Sequence, residues 1–232
     1  MPREHGIGVL LDRHDVGGGL IRHEIEPPAG FIGSYQLPGQ YVSLELWEKH
    51  TYFVLAGEPG SKSWEVLVRA GGDVADALLA LPTGEPLKVS AALGHGFPME
   101  EAARRKLFVL AAGSGVAAIR PVVAARVRAG LAASTEVFLG VRSRADVPLV
   151  EELAMRRSEG VGVTVCLSRD TDGGVGAATG YVQDVLRERA TERPESVKGA
   201  MLFAAGASAM VDGVKHVARR LGLPEADVRT NY

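Results

Sequence analysis

Near residue 100 the hydrophobic rhythm of this chain changes, and a fold built on one rhythm alone cannot accommodate both halves. From Gly6 to about Leu93, short alternating or β-branched runs (GIGVLLD, LIRHEIE, YVSLELW, TYFVLAG, SWEVLVR, EPLKVSAA) are separated by turn residues at Gly17 to Gly19, Pro38-Gly39 and Pro59-Gly60. That is the pattern of antiparallel strands. In YVSLELW, the spacing predicts Val42, Leu44 and Leu46 on a buried face and Ser43 and Glu45 on the opposite one. One short helix is expected in VADALLALPTG, with Asp73 as its N-cap.

After the polar connector PMEEAARRK, strands are followed by helices four times: KLFVLAA and GVAAIRPVVAARVRAG, TEVFLGV and VPLVEELAMRRS, VGVTVCL and TGYVQDVLRERA, GAMLFAA and SAMVDGVKHVARRLG. Four such units with almost wholly apolar strands predict a doubly wound parallel sheet covered on both faces. The expected organisation is an N-terminal antiparallel β-barrel domain over residues 1–100 and an α/β nucleotide-binding domain over residues 101–232, with the boundary near residues 98 to 105.

Composition removes several function classes. The single cysteine, Cys166, cannot form an internal disulfide, hold an iron-sulfur cluster or complete a four-ligand zinc site, so redox chemistry would need an organic cofactor. The formal net charge of −2 with interspersed signs offers no broad basic face for nucleic acid. No run of about 18 apolar residues is present, and the first residues lack the apolar centre of a signal peptide, so a cytoplasmic protein is expected, without membrane or nucleic-acid partners.

The sharpest local signal is Gly113-Ser114-Gly115, followed by Val116, between the first strand of the second half and its helix. A tight glycine turn there lets a diphosphate approach bare backbone at a helix N-terminus, although the third glycine of the Rossmann spacing is missing and a plain strand-to-helix turn has the same look. The next two strands end in Gly140-Val141-Arg142-Ser143-Arg144 and Leu167-Ser168-Arg169. Basic residues at these ends favour NADP(H) over NAD(H), while arginines at strand ends also serve as ordinary solubilising residues.

With these motifs in this order, nearly the whole chain resembles the ferredoxin-NADP(H) reductase superfamily. The matching segments are Pro38 to Tyr41, Phe53 to Ala56, Gly94-His95-Gly96-Phe97, Gly113 to Val116, Gly140 to Arg142, Ser168-Arg169, Thr179 to Val182, Gly206 through Met210, and Asn231-Tyr232. The resemblance implies a flavin, usually FAD, held between barrel and nucleotide domain. A nicotinamide dinucleotide delivers hydride to it, and an acceptor, protein or otherwise, takes the electrons. It also implies that Tyr232 covers the flavin face and that Gly206 and Met210 border the nicotinamide.

This chain departs from the family at the flavin. The family's arginine, any residue, tyrosine, serine or threonine motif falls on Thr51, Tyr52, Phe53 and Val54, which lack the phosphate-pairing arginine and the last hydroxyl. Arg69 is the candidate substitute cation, and an exposed strand residue otherwise. The second phosphate clamp falls on Gly72-Asp73-Val74-Ala75, where Val74 has no donor and Asp73 repels a phosphate. The family's cysteine near the nicotinamide is Ala205. The leading expectation is an NAD(P)H-dependent flavin oxidoreductase. A reductase-derived nucleotide-binding or regulatory subunit with little turnover is the alternative, and a methyltransferase is disfavoured by the leading barrel.

Overall fold

A computed structural model of the chain describes residues 5–170 and 176–231. Six antiparallel strands form the first unit: β1 (His5–Asp15), β2 (Ile21–Glu26), β3 (Tyr41–Leu46), β4 (Lys49–Val54), β5 (Trp64–Val68) and β6 (Pro86–Ser90), in the order β4-β3-β6-β1-β2-β5. A bridge between Leu55 and Val66 joins the two outermost strands, and the Ala56 N–H donates to Glu65 O at 2.7 Å. These contacts close the sheet into the expected barrel. Helix α1 (Asp73–Ala80) packs against it, burying Val74, Ala77 and Leu78 beside Trp64, Val66 and Val68.

Two expectations within the barrel need correction. Val42, Leu44 and Leu46 are buried, but so is Ser43, which lies on the face expected to meet solvent. Its burial is tolerated because its N–H donates to Ser90 Oγ at 2.9 Å and its own Oγ sits 3.2 Å from His5 Nε2. Asp73 is not the N-cap of α1. The cap position is Gly72, Asp73 pairs instead with Lys49 at 2.6 Å, and the Asp76 carboxylate accepts the N–H groups of Gly71 and Gly72.

The connector contains one short helix, α2 (Met99–Ala102), before the second sheet begins. That sheet is parallel, in the order β10-β9-β8-β7-β11-β12, built from β7 (Leu107–Ala112), β8 (Thr135–Val141), β9 (Gly162–Leu167), β10 (Ala177–Thr179), β11 (Met201–Ala205) and β12 (Val228–Thr230). Helices α3 (Val116–Arg128), α4 (Val150–Ser158), α5 (Val182–Glu192) and α6 (Ser208–Arg220) cover it. The four central strands and four helices are those the rhythm predicts; β10 and β12, three residues each, carry too short a pattern to be read. Strand order reverses between β7 and β11, the switch point at which ligands of such sheets bind. Cys166 is fully buried in β9, and burial pushes its thiol up to about 12.

One apolar core runs through both units. Leu20, Ala56, Leu67 and Phe97 of the barrel share it with residues of β7, β11, α3 and α4. Phe97 stacks on Phe203 with ring centroids 4.7 Å apart and planes 9° apart. At one flank, Leu149, in the left-handed region at φ 56°, donates its N–H to Val16 O at 2.6 Å. At the other, Arg120 of α3 donates to Ala56 O at 3.2 Å and Glu152 at 2.7 Å and pairs with Glu65. Burial alone would lower the pKa of Arg120, but Glu152 and Glu65 raise it, so the bridging guanidinium stays charged.

Two buried polar groups generate predictions. Arg126, 1% exposed, has no carboxylate among its described partners. It donates to Thr135 Oγ1 (2.9 Å), Ala102 O (2.7 Å), Arg105 O (3.0 Å) and Ser134 Oγ (2.8 Å), tying α3 to the connector and to the start of β8. Arg126→Leu strands these acceptors and is expected to destabilise the protein by about 3 kcal/mol in urea unfolding. His23 is fully buried, with Nε2 3.2 Å from Leu78 O and Nδ1 3.2 Å from Ile21 O. Desolvation lowers its pKa against the raising effect of these two carbonyls. The unfolded chain therefore binds a proton first as pH falls through about 6.5, and stability drops from there down to the depressed folded pKa. Melting temperature is expected to fall between pH 7.5 and pH 5.5, and His23→Gln to flatten that slope.

Candidate functional site

The candidate residues fall into two sets, one on the barrel and one on the parallel sheet. On the barrel, β4 and the start of α1 enclose a cavity of about 530 Å³. It gathers Thr51, Tyr52 and Phe53 with Gly72, Val74 and Ala75, which are distant in sequence. Val54, the fourth residue of that strand motif, packs toward the core shared by the two units and is absent from the lining. The cavity's entrance carries two glycines for a local reason: Gly71 and Gly72 have φ of 119° and 156°, and a Cβ on either would meet nothing within 4 Å. Bare backbone faces open space there, as in a loop that admits a ligand.

Sequence reasoning missed Lys49 and His50, which also line this cavity. They sit just past the β3–β4 hairpin, where Trp47 and Glu48 occupy positive φ (50° and 64°), and no family motif marked them. Arg69 goes elsewhere. A β-carbon placed on Gly19 would lie 3.2 Å from its Nη1, and its charge helps hold the Asp146 carboxyl low. It points toward the seam with the α/β unit and does not line the cavity. The first-turn acids bracket the glycines, since Asp73 holds Lys49 and Asp76 takes the Gly71 and Gly72 amides at 2.9 and 3.3 Å. A flavin's ring and sugar suit the volume and the aromatic lining. Its phosphates would meet one cation already paired and two amides already used, beside His50, the Thr51 hydroxyl and the first-turn N–H groups of α1, which have no intrahelical acceptor.

The second set lies at the switch point of the parallel sheet. Gly113 has φ 56° and open space where a Cβ would be, so it can present bare backbone, whereas Gly115 answers a packing need. A Cβ at Gly115 would fall 2.2 Å from Ala205 O, so the turn is pressed against the end of β11. Ser114 is exposed and Val116 is buried as the first residue of α3. Gly206 follows β11 with φ 148°, and a Cβ there would meet Met210 Cε at 2.9 Å and Ala112 backbone at 3.1 Å. Met210, buried at the start of α6, thus covers Gly206 at the crevice between β7 and β11.

Arg142, Ser168 and Arg169 come together at the next strand ends, because the β8–β9 ladder continues past the strands. Ser168 N–H donates to Val141 O at 3.0 Å and Arg169 N–H to Arg142 O at 2.9 Å. Both arginines are exposed. Two acids that sequence reasoning left out enter this cluster. Asp146 accepts from the Ser143 hydroxyl at 2.7 Å and its N–H at 2.9 Å, contacts that hold its carboxyl below the usual range, and Asp170 accepts the Arg144 N–H at 2.8 Å. Ser143 is therefore committed, while the Arg142 and Arg169 guanidinium groups flank the open edge. Tyr232, expected over the flavin, lies outside the described residues. Among the described residues no group of three or more His, Cys, Asp or Glu side chains could hold a metal ion, and no helix is long and apolar enough to cross a membrane.

Comparison with known proteins bears on the fold and on the α/β unit. Residues 109–216 match the oxidoreductase NAD-binding domain family. The chain is 25% identical over 222 residues to the ferredoxin–NAD(P)(+) reductase component of a naphthalene 1,2-dioxygenase system from Pseudomonas putida, covering 94% of this chain but only 64% of that relative's length. It is 29% identical over 205 residues to ferredoxin–NADP reductase B of Sorangium cellulosum, covering 82% of each. A ferredoxin NADP+ reductase from Neisseria gonorrhoeae, solved with FAD and NADP bound, superposes with a TM-score of 0.81 over 97% of both chains at 14% identity. The family match covers just under half of the chain, within the α/β unit, and over most of its length the chain is similar to ferredoxin–NAD(P)(+) reductases.

Proposed function

We propose that this protein is an NAD(P)H-dependent flavin oxidoreductase. A nicotinamide dinucleotide binds at the switch point, a flavin binds in the barrel cavity, and electrons leave to an acceptor. The observation that carries the reading is the pair of open backbone surfaces, Gly71-Gly72 beside the aromatic residues of β4 and Gly113 at the N-terminus of α3. The names of the curated relatives, a ferredoxin–NAD(P)(+) reductase component and a ferredoxin–NADP reductase, support it.

The chain's own residues have distinct parts in this reading. The N-terminus of α3 and the Gly113 backbone receive the dinucleotide's diphosphate, since helix-end amides and their dipole favour anions. Arg142 and Arg169, with Ser168, face the adenosine end, where a guanidinium fork matches a 2′-phosphate and makes NADPH the favoured coenzyme. Gly206 and Met210 border the nicotinamide. Tyr52 and Phe53 offer faces for a planar ring. The cofactor carries the redox chemistry, and the protein holds the two rings in place.

The test is anaerobic mixing of the protein with FAD and NADPH. Loss of flavin absorbance near about 450 nm is expected. Dinucleotide binding without any flavin reduction would instead support a regulatory subunit. Arg142→Ala is expected to lower kcat/KM for NADPH by about 10- to 150-fold, the equivalent of one charge-assisted hydrogen bond, and to leave NADH nearly unchanged. Equal losses for the two coenzymes would overturn the assignment of that edge.

A further inference from the structure

We infer that the glycine turn between β1 and β2, Gly17 to Gly19, is a positioning element for the coenzyme's adenosine edge: by seating the loop that carries Arg142, a part of the barrel sets discrimination for a 2′-phosphate. The inference rests on the dinucleotide reading above and adds residues of the other unit to it.

Gly17, Gly18 and Gly19 all take positive φ, at 80°, 59° and 69°. Where such a residue faces open space, asparagine or aspartate can serve; a close neighbour leaves only glycine. Two of the three have such a neighbour in the backbone of the loop 142–149, which joins β8 to α4. A β-carbon on Gly17 would lie 3.2 Å from Val147 O, and one on Gly18 would overlap Asp146 O. Gly19 faces only the end of the Arg69 side chain. The loop is also fastened to the turn. Leu149 N–H donates to Val16 O at 2.6 Å, and Leu20 and Leu149 are buried in the core that the two units share. Leu149 itself is held at φ 56°, a conformation that leucine keeps only when its surroundings impose it.

From this seat the path to Arg142 is short. Asp146, whose carbonyl meets Gly18, accepts the Ser143 N–H at 2.9 Å and the Ser143 hydroxyl at 2.7 Å, and its own N–H donates to Ser143 O at 3.1 Å. Those Ser143 contacts, with the Arg142 and Arg69 guanidinium groups, one from each unit, hold the Asp146 carboxyl below the usual carboxylate range. Ser143 follows Arg142, whose carbonyl accepts the Arg169 N–H at 2.9 Å. The Arg142 backbone is thus clamped between the ladder of the sheet and Asp146, and Asp146 is set by the glycine turn. A guanidinium recognises a phosphate by direction as well as by charge, so the contact weakens when its base shifts. Displacing the loop therefore costs affinity for the 2′-phosphate and spares the rest of the nucleotide, which Gly113 and the start of α3 receive.

The experiment measures binding of adenosine 2′,5′-bisphosphate and of 5′-AMP to the whole chain by calorimetry, with the melting temperature recorded for each variant. Gly18→Ala is expected to lose about tenfold in affinity for the bisphosphate, the lower end of one charge-assisted hydrogen bond, and less than about twofold for 5′-AMP. Gly17→Ala, whose neighbour need give only slightly, should lose about threefold for the bisphosphate alone, and it carries the test where Gly18→Ala does not fold. Gly60→Ala is the control. It has the same left-handed backbone, at φ 81°, with nothing within 4 Å of a β-carbon, so it lowers the melting temperature without changing the ratio of the two affinities. Equal losses for the two ligands, an unchanged ratio in whichever of the Gly17 and Gly18 variants fold, or the same change in Gly60→Ala makes the turn merely structural and overturns the inference, leaving the dinucleotide reading intact. A native chain that binds neither ligand removes that reading, and one that binds both equally removes the assignment of the Arg142 edge; the inference falls with either.

Discussion

Phe97 lying flat on Phe203 is the contact on which the rest of the structure depends. It comes from a barrel turn and meets β11, one strand in from the edge of the parallel sheet, so the two units are fused through one apolar core. A glycine on each side of that turn makes the approach feasible. Gly94 lies under the Tyr41 ring and Gly96 against Leu37 and Pro38, positions where a β-carbon would approach within 2.7 Å. Both candidate sites are built on elements of the two units that this seam joins.

Charge, not shape, distinguishes the two ligand edges. At the switch point the protein presents open backbone and two exposed guanidinium groups, with the nearby acids Asp146 and Asp170 already satisfied by local N–H donors. At the barrel cavity the arrangement is inverted: the backbone is equally open, but acids hold both the amides and the lysine. Bare glycine backbone thus lies near a helix start in both units, and in the barrel the Asp76 carboxylate takes the Gly71 and Gly72 amides.

How much of this could be read from the residues follows from the range of the interactions involved. Local periodicity disclosed the barrel strands, the four strand-helix units and the glycine turn, because alternation and apolar runs record burial directly. It failed at Ser43, whose burial depends on Ser90 across the sheet, and at Asp73, whose partner Lys49 comes from another strand. It missed Arg126 because a buried guanidinium satisfied wholly by carbonyls and hydroxyls leaves no complementary acid to find in the sequence. The departures at Thr51 and Val74 were legible as losses, but where Asp76 and Arg69 go is set by contacts across the fold that no spacing rule supplies.

Arg120 bears on how the two units are joined. One guanidinium, one turn along the helix that starts at the glycine turn, grips the carbonyl of Ala56, the residue that closes the barrel just past β4. Helix α3 and the end of β4 are thereby tied through one partly buried cation, so a change of side chain at position 120 would be felt on both sides of the seam at once.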